Sequence, residues 1–223
     1  MLAKSFQEQL YQRFVYKRRK ESINQNFNFL ELKTTINNKK EYASVAYIDI
    51  YGFSQRIKNY STEEVSTYLH NYYSYVLPII KKYNGQIDKI MGDGIIIIFS
   101  KIFDEIKSDV DADTKCLYCC KECIERLSNS NYAVKASIGS GELYFCKTGV
   151  EQIYEEYTCI GHPLTVAYRL ENIADKNQIL LMGDTDLSMF IEVTPTILDN
   201  WKENFRNIKL KGLNPNIAHI LQY

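Results

Sequence analysis

Residues 88–99 read DKIMGDGIIIIF, and this stretch decides the fold. The Gly92-Asp93-Gly94 step has the chemistry of a tight turn, and the isoleucine run that follows predicts a second strand that is central and fully buried. Asp93 is therefore expected at the tip of a β-hairpin. Upstream, residues 47–53 read YIDIYGF. Here an apolar strand ends in a carboxylate, and Gly52 lets the backbone turn into a helix, leaving free backbone N–H groups beside Asp49. If the hairpin pairs beside this first strand, Asp49 and Asp93 converge at one end of a sheet.

Working outward, the pattern predicts a strand over 44–50, a long helix over 62–82, and hairpin strands over 86–90 and 95–99. A helix over 113–127 follows, then strands over 133–140 and 142–147 meeting at Gly141, and a short strand over 157–160. Pro163 suits the first turn of a helix running to about residue 174. A strand over 178–181, a short helix over 184–190, and strands over 207–211 and 217–221 complete the order. This alternation predicts an α+β sandwich with helices covering a mainly antiparallel sheet. Ahead of it, Phe6, Leu10 and Phe14 recur at four-residue spacing within 4–20, which predicts an amphipathic helix. A polar arm over 24–40 connects it to the rest.

The chain has 223 residues, enough for one complete core with appended segments. Its 27 basic and 27 acidic residues cancel, so no global field recruits nucleic acid or an acidic membrane surface. The longest apolar run, 95–99, is far too short to span a bilayer, and a soluble, cytoplasmic protein is expected. Four of the six cysteines, Cys116, Cys119, Cys120 and Cys123, fall on one face of the 113–127 helix. Thiolates stacked along one face do not surround a metal tetrahedrally, so these are expected to be reduced thiols packed in the core.

Two converging carboxylates are hard oxygen ligands suited to Mg²⁺ or Mn²⁺, which complete their shells with water and substrate phosphates. The turn at Gly52 and Phe53 offers an adjacent phosphate cradle. Arg169 carries a planar fork that matches phosphate oxygens; otherwise it would pair on the helix surface with a neighbour such as Glu171.

These two segments, together with YTCIGHPLTVAYRLENIA (157–174) and IKLKGLNP (208–215), resemble the class III adenylyl and guanylyl cyclase domain. The resemblance runs from about residue 44 to 221 and implies a ferredoxin-like, palm-like fold. It divides the chain into an N-terminal helix and arm, 1–40, and a catalytic domain, 41–223. It implies that Asp49, with the adjoining Ile50, and Asp93 bind two divalent ions, Mn²⁺ or Mg²⁺. It further implies that Arg169 steadies the transition-state phosphate and that Lys211 holds the triphosphate with Gly52 and Phe53. The site would be shared across a head-to-tail homodimer acting on a nucleoside triphosphate.

The base is read in different directions. Lys89 and Thr158 match the positions that read adenine in adenylyl cyclases. Thr165 stands where the family has a ribose-orienting asparagine, and its single hydroxyl replaces an amide. A bare cyclase of this length resembles the bacterial Pycsar antiphage cyclases, which make cyclic CMP or cyclic UMP and signal to a separate effector; Tyr51 beside the metal aspartate would narrow the pocket against a purine. The expectation is a pyrimidine cyclase. An adenylyl cyclase and a catalytically silent nucleotide-binding module stand as alternatives.

Overall fold

The computed structural model describes residues 37–103, 105–182, 200–210 and 217–223. The helix expected over 4–20, most of the arm, the short helix over 184–190 and Lys211 lie outside the described residues. The elements in order are β1 (Lys39–Ile50), α1 (Phe53–Arg56), α2 (Thr62–Lys82), β2 (Gln86–Met91), β3 (Gly94–Phe99), α3 (Asp109–Leu127), β4 (Val134–Val150), β5 (Tyr154–Ile160), α4 (His162–Glu171), β6 (Gln178–Met182), β7 (Lys202–Asn207) and β8 (Ile217–Gln222). The chain divides into two compact units. One comprises residues 37–40 with Tyr144–Ile160, and the other Glu41–Leu143 with Gly161–Tyr223 among the described residues.

The strands run in the order β2-β3-β1-β4-β6-β8-β7, with β5 paired to β4. The series β1-α2-β2-β3-α3-β4, laid out as β2-β3-β1-β4, is the ferredoxin-like arrangement the sequence implied. β1 and β3 are antiparallel, with Tyr47 opposite Ile96 and Ile48 opposite Ile95. That register carries Asp49 to the mouth of the β2–β3 hairpin. The pairing of β4 with β6 is parallel, and the sheet is otherwise antiparallel wherever its register is recorded.

Alternation along the strands builds one core on each face. Ala46, Ile48 and Ile50 of β1, with Ile95, Ile97 and Phe99 of β3, pack under Tyr72, Val76, Ile79 and Ile80 of α2 and the cysteine face of α3. The four clustered cysteines are all fully buried, and all six cysteines are free thiols, as the helical spacing predicted. A smaller core joins Val166 and Leu170 of α4 to Leu180, Ala218 and Ile220. α2 is started by a capping box: Ser61 Oγ accepts from the Glu64 N–H while the Glu64 carboxylate accepts from the Ser61 N–H at 2.7 Å. No helix of the described residues is long and apolar enough to cross a membrane.

Two expectations need correction. The strands expected over 133–140 and 142–147 are one strand, β4, and Gly141, read as their meeting point, takes φ 145° inside it. The strand expected over 207–211 lies at Lys202–Asn207 instead, paired with β8 from Lys202↔Gln222 to Asn207↔Ile217. β7 is an exposed edge strand with the polar sequence KENFRN, so it carries no hydrophobic alternation. The apolar Ile208 that suggested a strand packs instead into the core beneath α4.

Candidate active site

Asp49 is the penultimate residue of β1, and Asp93 lies in the two-residue turn joining β2 to β3. Both side chains are half-buried, and their carboxyl groups are within hydrogen-bonding reach of one another. Burial pushes Asp49 upward first, and the hydrogen bond to Asp93 and its charge add to the effect, taking Asp49 up to about 7. Burial also raises Asp93, while accepting from Asp49 partly offsets the rise. Burial and mutual repulsion thus raise both carboxyls, and the two titrate as a coupled pair.

A third carboxyl arrives from α4. Glu171, only 6% exposed, reaches Asp49 and is itself raised by burial. Lys135 of β4 opposes that rise: its Nζ lies 2.9 Å from Glu171 Oε1 and donates to the Glu171 main-chain oxygen at 3.2 Å. Three carboxyls face one ammonium, so full ionisation leaves a surplus of negative charge that a cation would relieve. Among the described residues no cluster of three or more His, Cys, Asp or Glu side chains has the arrangement to hold an ion unaided. An ion on Asp49 and Asp93 would complete its shell with main-chain oxygen, water or phosphate.

Tyr47, two residues before Asp49 on the same face of β1, stacks on Tyr168 with ring centroids 5.6 Å apart. A Cβ at Gly94 would fall 2.5 Å from the Tyr47 hydroxyl. The glycine after Asp93 thus makes room for this ring over the hairpin.

The remaining predicted residues take the following places. Ile50 has a buried side chain, so only its main-chain carbonyl is available to an ion. Gly52 takes φ 73° and precedes the single turn of α1, whose first residue, Phe53, packs on Tyr68 at 6.0 Å. Tyr51 is exposed, and its N–H is committed to the Ala133 carbonyl at 2.9 Å. Lys89 lies on β2 opposite Ile96, at a register shift in the ladder. Thr165 and Arg169 lie one turn apart on α4, Thr165 exposed and Arg169 half-buried. Thr158 lies on β5 opposite Cys146, in the other unit. Glu171 is not a surface partner for Arg169: it is buried against Lys135.

Lys135 and Tyr47 were not singled out in the sequence, and Glu171 was read there only as a surface partner for Arg169. A signal existed for Glu171, because the buried stripe of α4 runs Pro163, Val166, Ala167, Leu170, Glu171, and a carboxylate at the end of an apolar stripe demands a partner. Lys135 is the lone charge in the apolar half of β4.

No family model matches the chain. An uncharacterized protein of Mycobacterium tuberculosis is 28% identical over 147 residues, covering 65% of this chain and 26% of that protein. A protein named cytidylate cyclase from Staphylococcus aureus is 22% identical over 204 residues, covering 86% of this chain and 45% of its own length. The chain thus spans about a quarter to under half the length of the curated relatives it matches. Among solved structures, the adenylyl cyclase CyaB of P. aeruginosa superposes with a TM-score of 0.66 at 20% identity, over 82% of this chain and 94% of that one. The guanylyl cyclase Cya2 gives 0.64 at 21% identity, over 83% and 93%. With its ferredoxin-like core and an aspartate at each of the two mouths of β1 and the β2–β3 hairpin, the chain has the fold of the class III adenylyl and guanylyl cyclase catalytic domains.

Proposed function

We propose that this chain is a nucleotidyl cyclase that converts a nucleoside triphosphate to a 3′,5′-cyclic nucleotide and pyrophosphate. The observation that carries the reading is the Asp49–Asp93 pair: two half-buried carboxyls brought together at the end of a cyclase-type sheet. Their donor set fits Mg²⁺ or Mn²⁺, being hard, anionic and in need of a countercharge. Two such ions, held by Asp49, Asp93 and the Ile50 carbonyl, would supply charge neutralisation for the triphosphate and the attacking oxygen.

The chain's own residues do the positioning. Asp49 and Asp93 present both carboxylates to the site as it loads. Lys135 holds Glu171 so that this third carboxyl stays paired. Gly52 and Phe53 offer main-chain N–H groups to the phosphates, Lys211 binds the triphosphate, and Arg169 presents its fork to the α-phosphate in the transition state. The ribose 3′ oxygen loses its proton to water and bonds to the α-phosphorus as the bond to pyrophosphate breaks. Thr165 orients the ribose through its hydroxyl. Asp49 and Asp93 of one protomer face Arg169 of the other in a homodimer.

Our reading of the base is pyrimidine. The alignment with the cytidylate cyclase over most of this chain and Tyr51, two residues after Asp49 in the sequence, support it, and the cyclic product would act in the cytoplasm on a separate effector in antiphage defence. The second reading, cyclic AMP, rests on Lys89 and Thr158. Incubation with CTP, UTP, ATP and GTP separately, with Mn²⁺ and mass identification of products, tests both. A cyclic pyrimidine nucleotide is expected. Cyclic AMP would reverse the base assignment, and absence of any cyclic product would favour a silent nucleotide-binding module.

A further inference from the structure

Tyr73, on α2, donates its hydroxyl proton to the main-chain carbonyl of Gly92. The acceptor matters because of which peptide it belongs to. The β2–β3 ladder closes at Met91↔Gly94, so residues 92 and 93 form the free turn. The Gly92 carbonyl is part of the peptide plane that joins Gly92 to Asp93. A peptide unit rotates as a rigid plane, and Gly92, at φ 65° and without a Cβ to restrict it, is the softest joint in the turn. Rotation there swings the Asp93 carboxyl away from Asp49.

The other end of the tether is firm. The Tyr73 ring packs against the Tyr72 ring with centroids 5.5 Å apart, and Tyr72 is fully buried in the core beneath the sheet.

We propose that Tyr73 is a positioning residue that, through the Gly92 carbonyl, fixes the peptide plane aiming Asp93 at Asp49 and thereby sets the site's affinity for a divalent cation. The inference rests on the reading of Asp49 and Asp93 as the metal-holding pair. It differs from a structural role for Tyr73, which would alter stability and leave cation binding intact.

The test is Mn²⁺ binding by the full chain, measured from the electron paramagnetic resonance signal of the free ion in the presence of a 3′-deoxynucleoside triphosphate that cannot cyclise. Tyr73→Phe should weaken Mn²⁺ binding by about 10-fold, the scale of a lost outer-shell hydrogen bond. Amide exchange at residues 92–94 should quicken in the metal-free variant, and turnover should recover at saturating Mn²⁺. Tyr75→Phe, on the exposed side of the same helix, should bind as wild type does. If Tyr73→Phe binds Mn²⁺ normally while Asp93→Ala does not, the tether is overturned and the metal reading stands. If Asp93→Ala also binds normally, the metal reading falls and the tether with it.

Discussion

Replacing Asp49 by asparagine removes the carboxyl while keeping its size, and the effect on stability has a defined pH dependence. In the folded protein Asp49 keeps its proton up to about pH 7, against an ordinary value of 3.8. The folded state thus binds this proton more tightly than the unfolded chain does. The resulting stabilisation is fully present below the unfolded value and is lost as pH rises through the window from about 4 to about 7. Unscreened, the difference corresponds to ~4 kcal/mol; the carboxyl is partly open to water, which reduces it to ~2 kcal/mol. The amide of the Asp49→Asn variant cannot ionise. Part of that loss falls below about pH 5, so urea unfolding of the two metal-free proteins from about pH 5 to about pH 8.5 should show wild type losing ~1 kcal/mol relative to Asp49→Asn. Adding Mn²⁺ at about pH 8 should stabilise wild type, because the ion takes up the deprotonated pair, and leave Asp49→Asn unchanged. A stability difference that stays constant with pH, together with equal stabilisation of both proteins by Mn²⁺, would refute the argument.

Three further outcomes follow from particular contacts. The Tyr72 hydroxyl is fully buried with no hydrogen-bond partner among the described residues, so Tyr72→Phe should raise unfolding stability by about 1 kcal/mol; a loss would show that the hydroxyl has a partner. Lys135→Met strands Glu171 beside Asp49 and should cost ~3 kcal/mol at about pH 8, and less at about pH 5, where Glu171 can take up a proton; urea midpoints at the two pH values measure it. Asp93→Ala and Arg169→Ala chains, each inactive alone, should regain partial cyclase activity when mixed, and no recovery despite proven subunit exchange would argue against a shared site.

Much of the sheet was legible because its chemistry is local. The isoleucine run and Gly-Asp-Gly turn identify β3 and its hairpin, and the apolar spacing identifies α2 to the residue. β7 was misplaced because an exposed edge strand needs no hydrophobic pattern, and the pattern one expects of a strand sat on Ile208, which packs under a helix. The convergence of Asp49 and Asp93 was legible because one lies near the end of a strand and the other in the turn of a hairpin expected to pair beside it. The Lys135–Glu171 pair was not, because it joins β4 to α4 across the chain and neither residue has a local motif. Tyr73 was hidden for a related reason: one tyrosine among 18 acquires meaning only when its hydroxyl is found on the Gly92 carbonyl.

The most direct test of the central claim is the stoichiometry of product release from the preferred nucleoside triphosphate with Mn²⁺, for wild type, Asp49→Ala and Asp93→Ala. One cyclic nucleotide per pyrophosphate from wild type, and no cyclic product from either variant with the fold retained, is the predicted result. A linear monophosphate as product, or undiminished cyclisation by both variants, would contradict the account.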